Sequence, residues 1–179
     1  YSRELLPIPG LRRHSPIALI RQALALCPDE FPATGTSQLS FVTDPALKEN
    51  LRLDISATNS AITNGEWKAA TVLAGSVVEA FLLWALLQQK PVNVSEAAAR
   101  RGLKVSSNLE NWVLYQYLEV AAELKLIAAE TATQCMLAKG FRNLIHPGRA
   151  QRLGQACNRG TALSAVAAYV QTEIIALYT

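Results

Sequence analysis

Apolar side chains recur at helical spacing along most of this chain, and the longest such run is apolar almost all round. Between Ala69 and Leu87 its one charge is Glu79, with Trp67 and Trp84 near the ends. A helix apolar on every side belongs at the centre of a bundle. The run, from Glu66 to about Gln89, approaches membrane-spanning length. Glu79 at its middle, the small pair Gly75-Ser76 and the lack of a second candidate span favour a core helix that lets a neighbour approach closely.

Punctuation divides the rest. Ser15-Pro16 pairs an N-cap with proline at the first helical position and predicts a helix to about Cys27, which Pro28 ends. Residues 1–13 read as an arm, and Leu39 to Val42 as a short extended piece in a loop. Asp44-Pro45 repeats the start signal and predicts a helix to about Thr63, stopped by Asn64-Gly65, with Leu47, Leu51, Ile55 and Ile62 on one stripe and Arg52 and Asp54 facing solvent. Ser95 to Gly102 reads as a short capped helix. Ser107-x-x-Glu110 has the form of a capping box and predicts a helix to about Ile127. Its expected buried side holds Leu109, Val113, Val120, Ala121 and Leu124, with Glu119 and Glu123 solvated. Trp112, Tyr115 and Tyr117 suit core packing better than base stacking.

Thr131 or Thr133 is expected to cap a helix ending at His146. Met136, Leu137, Gly140, Phe141 and Leu144 make its packing side, and Cys135, Lys139, Arg142 and His146 the opposite stripe. Leu163, Val166, Ala167, Val170, Ile174 and Leu177 define a last amphipathic helix. The expectation is an all-α bundle of about five to six helices, with residues 1–43 as an arm bearing one helix and 44–179 as the helical domain.

Composition agrees: half the residues are hydrophobic and 17% are charged. The net charge of +3 is mild, yet Arg142, Arg149, Arg152 and Arg159 follow one another with no acid between them, as a phosphate contact would use. Cys27, Cys135 and Cys157 have neither metal nor disulfide spacing, which fits a reducing cytoplasm. Tyr1 at the start marks a processed or excised segment, and Asn93-Val94-Ser95 is read as a chance glycosylation match.

The densest chemistry is Arg142-Asn143-Leu144-Ile145-His146-Pro147-Gly148-Arg149. At helical spacing Arg142 and His146 would be stacked neighbours at a helix end, where the dipole favours a protonated imidazole and Gly148 takes the left-handed turn. Phosphate-binding and dinucleotide loops and a serine elbow are absent. With only His14 and His146 as histidines, a multi-ligand metal site is hard to assemble, and no cofactor is implied. Cys135 and His146 lie about 16 Å apart along a helix, too far for a dyad. What remains is metal-free acid–base chemistry on RNA, whose 2′-hydroxyl is its own nucleophile. His146 would move the proton, Arg142 would stabilise charge, and Asn143 would orient the phosphate. A symmetric dimer would supply a second histidine. Glu79 needs a partner inside its apolar helix, and Arg142 is the natural one.

At these residues, Arg142-Asn143-x-x-His146 at a helix end and Leu73 to Ala80 with internal Glu79, the sequence resembles the HEPN superfamily of helical domains over roughly residues 45–178. The resemblance implies a homodimeric domain, acting as a metal-independent endoribonuclease or RNA-binding protein of a prokaryotic defence or toxin–antitoxin type system. It further implies an antitoxin or nucleotidyltransferase partner and no membrane. Carried over, Arg142, His146 and Asn143 are catalytic and Glu79 supports them, while Lys139, Arg149 and Arg152 suit nucleic-acid binding. The family's catalytic pattern places four to six residues between Arg and His; here there are three, which turns His146 by about 100° on a helix. The alternative is a non-catalytic dimerisation or interaction module in which the motif is structural.

Overall fold

The computed structural model describes residues 32–34 and 36–178, with side chains to 173. The arm at 1–13, His14 and the helix expected from Ser15-Pro16 to Cys27 lie outside the described residues. The described part belongs to one compact unit, Pro32–Thr179. It is all-helical, with seven α-helices where five to six were expected. They are α1 (Pro45–Thr63), α2 (Trp67–Leu87), α3 (Pro91–Arg100), α4 (Leu114–Glu123), α5 (Ala129–Arg142), α6 (Pro147–Leu153) and α7 (Arg159–Tyr178).

α2 is the axis of the bundle and packs against α1, α4, α5 and α7. Ala74, Val77, Val78, Phe81, Leu82 and Leu86 are fully enclosed, as the all-round apolar pattern requires. It is also the one helix among the described residues long and apolar enough to cross a membrane, and just over half of its most apolar window, 56%, is buried inside the bundle. α1 starts as expected, with the Asp44 carboxylate accepting from the Leu47 amide at 2.7 Å and Pro45 at the first position. Gly65, at φ +74°, makes the left-handed step that lets α1 turn back into α2. Of the expected stripe on α1, Leu51 and Ile55 are buried and Leu47 and Ile62 are half-buried.

Local readings are corrected in three places. Leu39 to Val42 is a turn, not an extended piece: Leu39 sits at φ +46° and the Val42 amide donates to its carbonyl. Both residues are buried, and Phe41 packs on Phe81 and Trp84, so the loop closes the bundle. Pro91 opens α3 four residues before the expected Ser95 cap. Ser95 Oγ instead donates to the Val92 carbonyl at 2.8 Å.

The supposed capping box at Ser107 does not form. Asn108 Oδ1 accepts from the Glu110 amide and starts a single 3₁₀ turn, Leu109–Asn111. α4 then begins at Leu114, where Gln116 Oε1 accepts from the Val113 amide at 2.9 Å. Val113, expected in the core, is 58% exposed. Glu119 and Glu123 are not simply solvated: Glu119 pairs with Arg101, and Glu123 with Arg100 at 2.7 Å, tying α3 to α4.

Trp112 and Tyr117 are core residues whose polar ends reach backbone carbonyls, at Ser106 (2.7 Å) and Leu109 (2.6 Å). Burial pushes the Tyr117 phenol up to about 12 from an ordinary 10, and burial also raises Tyr169. Between those pH values the unfolded chain releases the Tyr117 proton and the folded chain keeps it, so stability falls as pH rises through that window. Thermal melts from pH 10 to pH 12 should show that decline, less steeply in Tyr117→Phe.

Candidate functional site

The site grows out of how α5 meets α2. The inward face of α5 carries Thr131, Cys135 and Ala138, all buried, at the i, i+4, i+7 spacing of one helical stripe. Arg142 is the next position on it. The expected division of this helix holds only in part: Leu144 is buried and Met136 packs on the core, but two positions change sides. Leu137, assigned to the packing side, is 53% exposed, while Cys135, assigned to the polar side, is fully buried and faces Ala168 and Thr172 of α7. Burial pushes the Cys135 thiol up, which suits a packing residue rather than a nucleophile. Small side chains win this interface because they let helix axes come close. The expected cap at Thr131 or Thr133 is also displaced, since α5 begins at Ala129.

Arg142 reaches across to α2, where its Nη1 donates to Glu79 Oε2 at 2.5 Å. The partner expected for Glu79 is the partner found. Both side chains stay about one-third exposed, so the pair contributes on the order of 1 kcal/mol rather than a buried-pair value. Gly75, one turn before Glu79, makes the reach possible. A Cβ there would lie 2.9 Å from Arg142 Cδ and 3.5 Å from its Cβ and Cγ. The guanidinium stem lies in the notch that glycine leaves.

This yields a test. Alanine normally stabilises a helix interior by about 1 kcal/mol over glycine. Here Gly75→Ala should instead lower stability by about 1–2 kcal/mol, the usual cost of overpacking. In an Arg142→Ala background the same change should become stabilising, as thermal melts of the four proteins would show.

α5 ends at Arg142. A 3₁₀ turn, Asn143–Ile145, follows, and His146 is extended at φ −80°, ψ 113°. Arg142 and His146 are thus not stacked on one α-helix, because Pro147 excludes the helical region for the residue before it. His146 caps the start of α6, and its carbonyl accepts from the amides of Arg149 (3.0 Å) and Ala150 (3.1 Å). It thus lies at the N-terminal end of that short helix and not at the C-terminal end of α5. Gly148 is inside α6, and the left-handed step belongs to Gly154 at φ +59°.

The turn nevertheless keeps His146 against α2. Its imidazole lines an open groove of about 910 Å³ with Ile145 and, from the start of α2, Glu66, Trp67, Lys68, Ala69, Val72 and Leu73. Arg142 meets α2 at Gly75, and His146 shares a groove with residues between Glu66 and Leu73 at the start of that helix. Both motif residues thus border α2, at different levels along it and without helical stacking.

Asn143 is the C-cap of α5, its amide donating to Lys139 and Phe141 carbonyls. Lys139 lies 4.9 Å over the Tyr115 ring, a cation–π contact that draws it toward α4. Arg149 and Arg152 are exposed on α6. No acidic residue occurs between Glu130 and Glu173, whereas Lys139, Arg142, Arg149, Arg152 and Arg159 all fall in that interval. Among the described residues no three His, Cys, Asp or Glu side chains come together as a metal site would need.

Sequence reasoning did not single out Trp67, Glu66 or Lys68 as site residues. Gly75 and Glu79 were both noted, but not as one device, although their i, i+4 spacing places them on one helix face.

No protein-family model, curated protein or solved structure matches this chain.

Proposed function

We propose that this chain is a HEPN-like helical domain that binds and cleaves RNA without a metal ion, through Arg142 and His146 beside α2. The observation that carries the reading is the placement of these two side chains. Arg142 is steadied by Glu79 through one nitrogen, and His146, four residues on, is exposed with no hydrogen-bond partner for its imidazole among the described residues. In this reading His146 takes the proton from an RNA 2′-hydroxyl or delivers one to the leaving 5′-oxygen. The unused edge of the Arg142 guanidinium faces the charge that builds on phosphorus oxygens. Glu79 is a positioning residue. Exposed Arg149 and Arg152 hold flanking phosphates, with Lys139 nearby. A homodimer of a cytoplasmic defence or toxin–antitoxin system would supply a second His146 across a twofold axis, with an antitoxin or nucleotidyltransferase as partner.

The testing experiment is cleavage of single-stranded RNA by the intact chain in excess chelator. The reading expects products ending in a cyclic phosphate, and loss of cleavage in Arg142→Ala combined with His146→Ala. Cleavage unchanged in the double variant sinks it.

A second reading has its own observation, the Gly75 notch that houses the Arg142 stem. There the motif is a structural clamp of an interaction module. It expects Arg142→Ala to lower the melting temperature and no RNA cleavage by the wild type at any concentration.

A further inference from the structure

We propose that the groove beside His146 is a nucleobase site, with Trp67 as the stacking platform and Glu66 as the reader of the base edge. The inference rests on the RNA reading above and names what lies next to the phosphate. The site is a wide, open groove rather than an enclosed cavity, which suits one exposed face of a stacked base. Its walls are apolar: the half-exposed indole of Trp67 with Val72, Leu73 and Ile145.

Its polar groups stand at the rim and are uncommitted. Among the described residues the side chains of Glu66, Lys68 and His146 make no hydrogen bond or ion pair. Glu66 is the N-cap residue of α2, yet its carboxylate does not cap the helix. A flat apolar wall with free polar atoms at its edge matches a planar heterocycle better than an aliphatic chain. A carboxylate accepts hydrogen bonds only, so it selects a base that presents N–H donors, guanine above uracil. Lys68 in the groove lining supplies a cation for the attached backbone. With the base on Trp67, the phosphate next to it would reach His146 on the same groove wall.

The test is binding of short uridine oligonucleotides, with and without one central guanosine, to the full chain by fluorescence anisotropy. The guanosine oligonucleotide should bind more tightly, and an abasic residue at that position should remove the gain. Trp67→Ala should weaken binding of the guanosine oligonucleotide between about fivefold and a hundredfold, as loss of one base–aromatic stack does. Trp67→Phe should retain most of the affinity. Glu66→Gln should erase the preference for guanosine and leave the abasic oligonucleotide unaffected.

If the wild type binds all three RNAs equally, the base site is wrong while RNA handling by Arg142 and His146 stands. If it binds none of them, the RNA reading falls and the base site with it. The abasic comparison needs no variant, so a misfolded Trp67→Ala cannot blur the outcome.

Discussion

RNA cleavage by the intact chain, measured in chelator, is expected to drop between about a hundredfold and ten-thousandfold in His146→Ala, the span over which a general acid–base group acts. The melting temperature should not move. His146 contributes to the fold through its backbone carbonyl, which caps α6 and is kept in alanine. Its imidazole is exposed and unbonded among the described residues, and removing such a group changes stability by no more than about 0.5 kcal/mol.

Arg142→Ala by itself does not separate the two readings of the motif. It removes the ion pair to Glu79 and empties the notch at Gly75, so stability falls under either reading. Only the catalytic reading makes His146→Ala, with its fold intact, equally inactive. Retained cleavage in His146→Ala would leave no proton carrier at this site and end the nuclease proposal.

Phe81→Ala is expected to carry the largest stability loss, about 3–5 kcal/mol for a fully enclosed aromatic ring. For a unit of this size that corresponds to roughly 6–20 °C in melting temperature. Phe81 faces the Phe41 ring at 6.2 Å and 23°, and Phe41 in turn meets Trp84 edge-on at 5.2 Å. The loop before α1 is fastened to α2 through this stack, so the truncation loosens both. Leu137→Ala makes the contrast. That residue is 53% exposed on α5, and its removal should cost no more than about 0.5 kcal/mol in the same melts. Equal losses at the two positions would mean that α5 presents its other face to the core.

The Phe81 and Leu137 comparison shows where a hydropathy pattern misleads. On α5 and α7 several large apolar side chains are not the buried ones. Leu137, Leu163 and Val170 are exposed, while Cys135, Ala138, Ala162, Ala165 and Ala168 are enclosed. Close helix packing rewards small residues, since axis separation and not side-chain size sets what fits. The same logic explains Gly75, whose missing Cβ admits an arginine stem rather than a neighbouring backbone.

Cap chemistry was legible where proline or a left-handed glycine forced it, at Asp44-Pro45, Gly65 and Gly102. It misled where a polar tetrad merely matched a motif. Ser107-x-x-Glu110 lost to Asn108, and to Gln116 at the true start of α4.

The sequence by itself determined the all-helical class, the central place of the Trp67–Leu87 run, and the need of Glu79 for a cation. Those follow from local terms: an apolar run with one carboxylate has few stable surroundings. Only the tertiary structure decided which faces of α5 and α7 are inside, that Gly75 is the notch for Arg142, and that His146 borders the start of α2. Pro147 removes His146 from the helix, so the helical spacing of Arg142 and His146 carries no information about their distance. Past the 3₁₀ turn, Ile145 and His146 instead line a groove with Trp67 that no spacing rule along the chain could display.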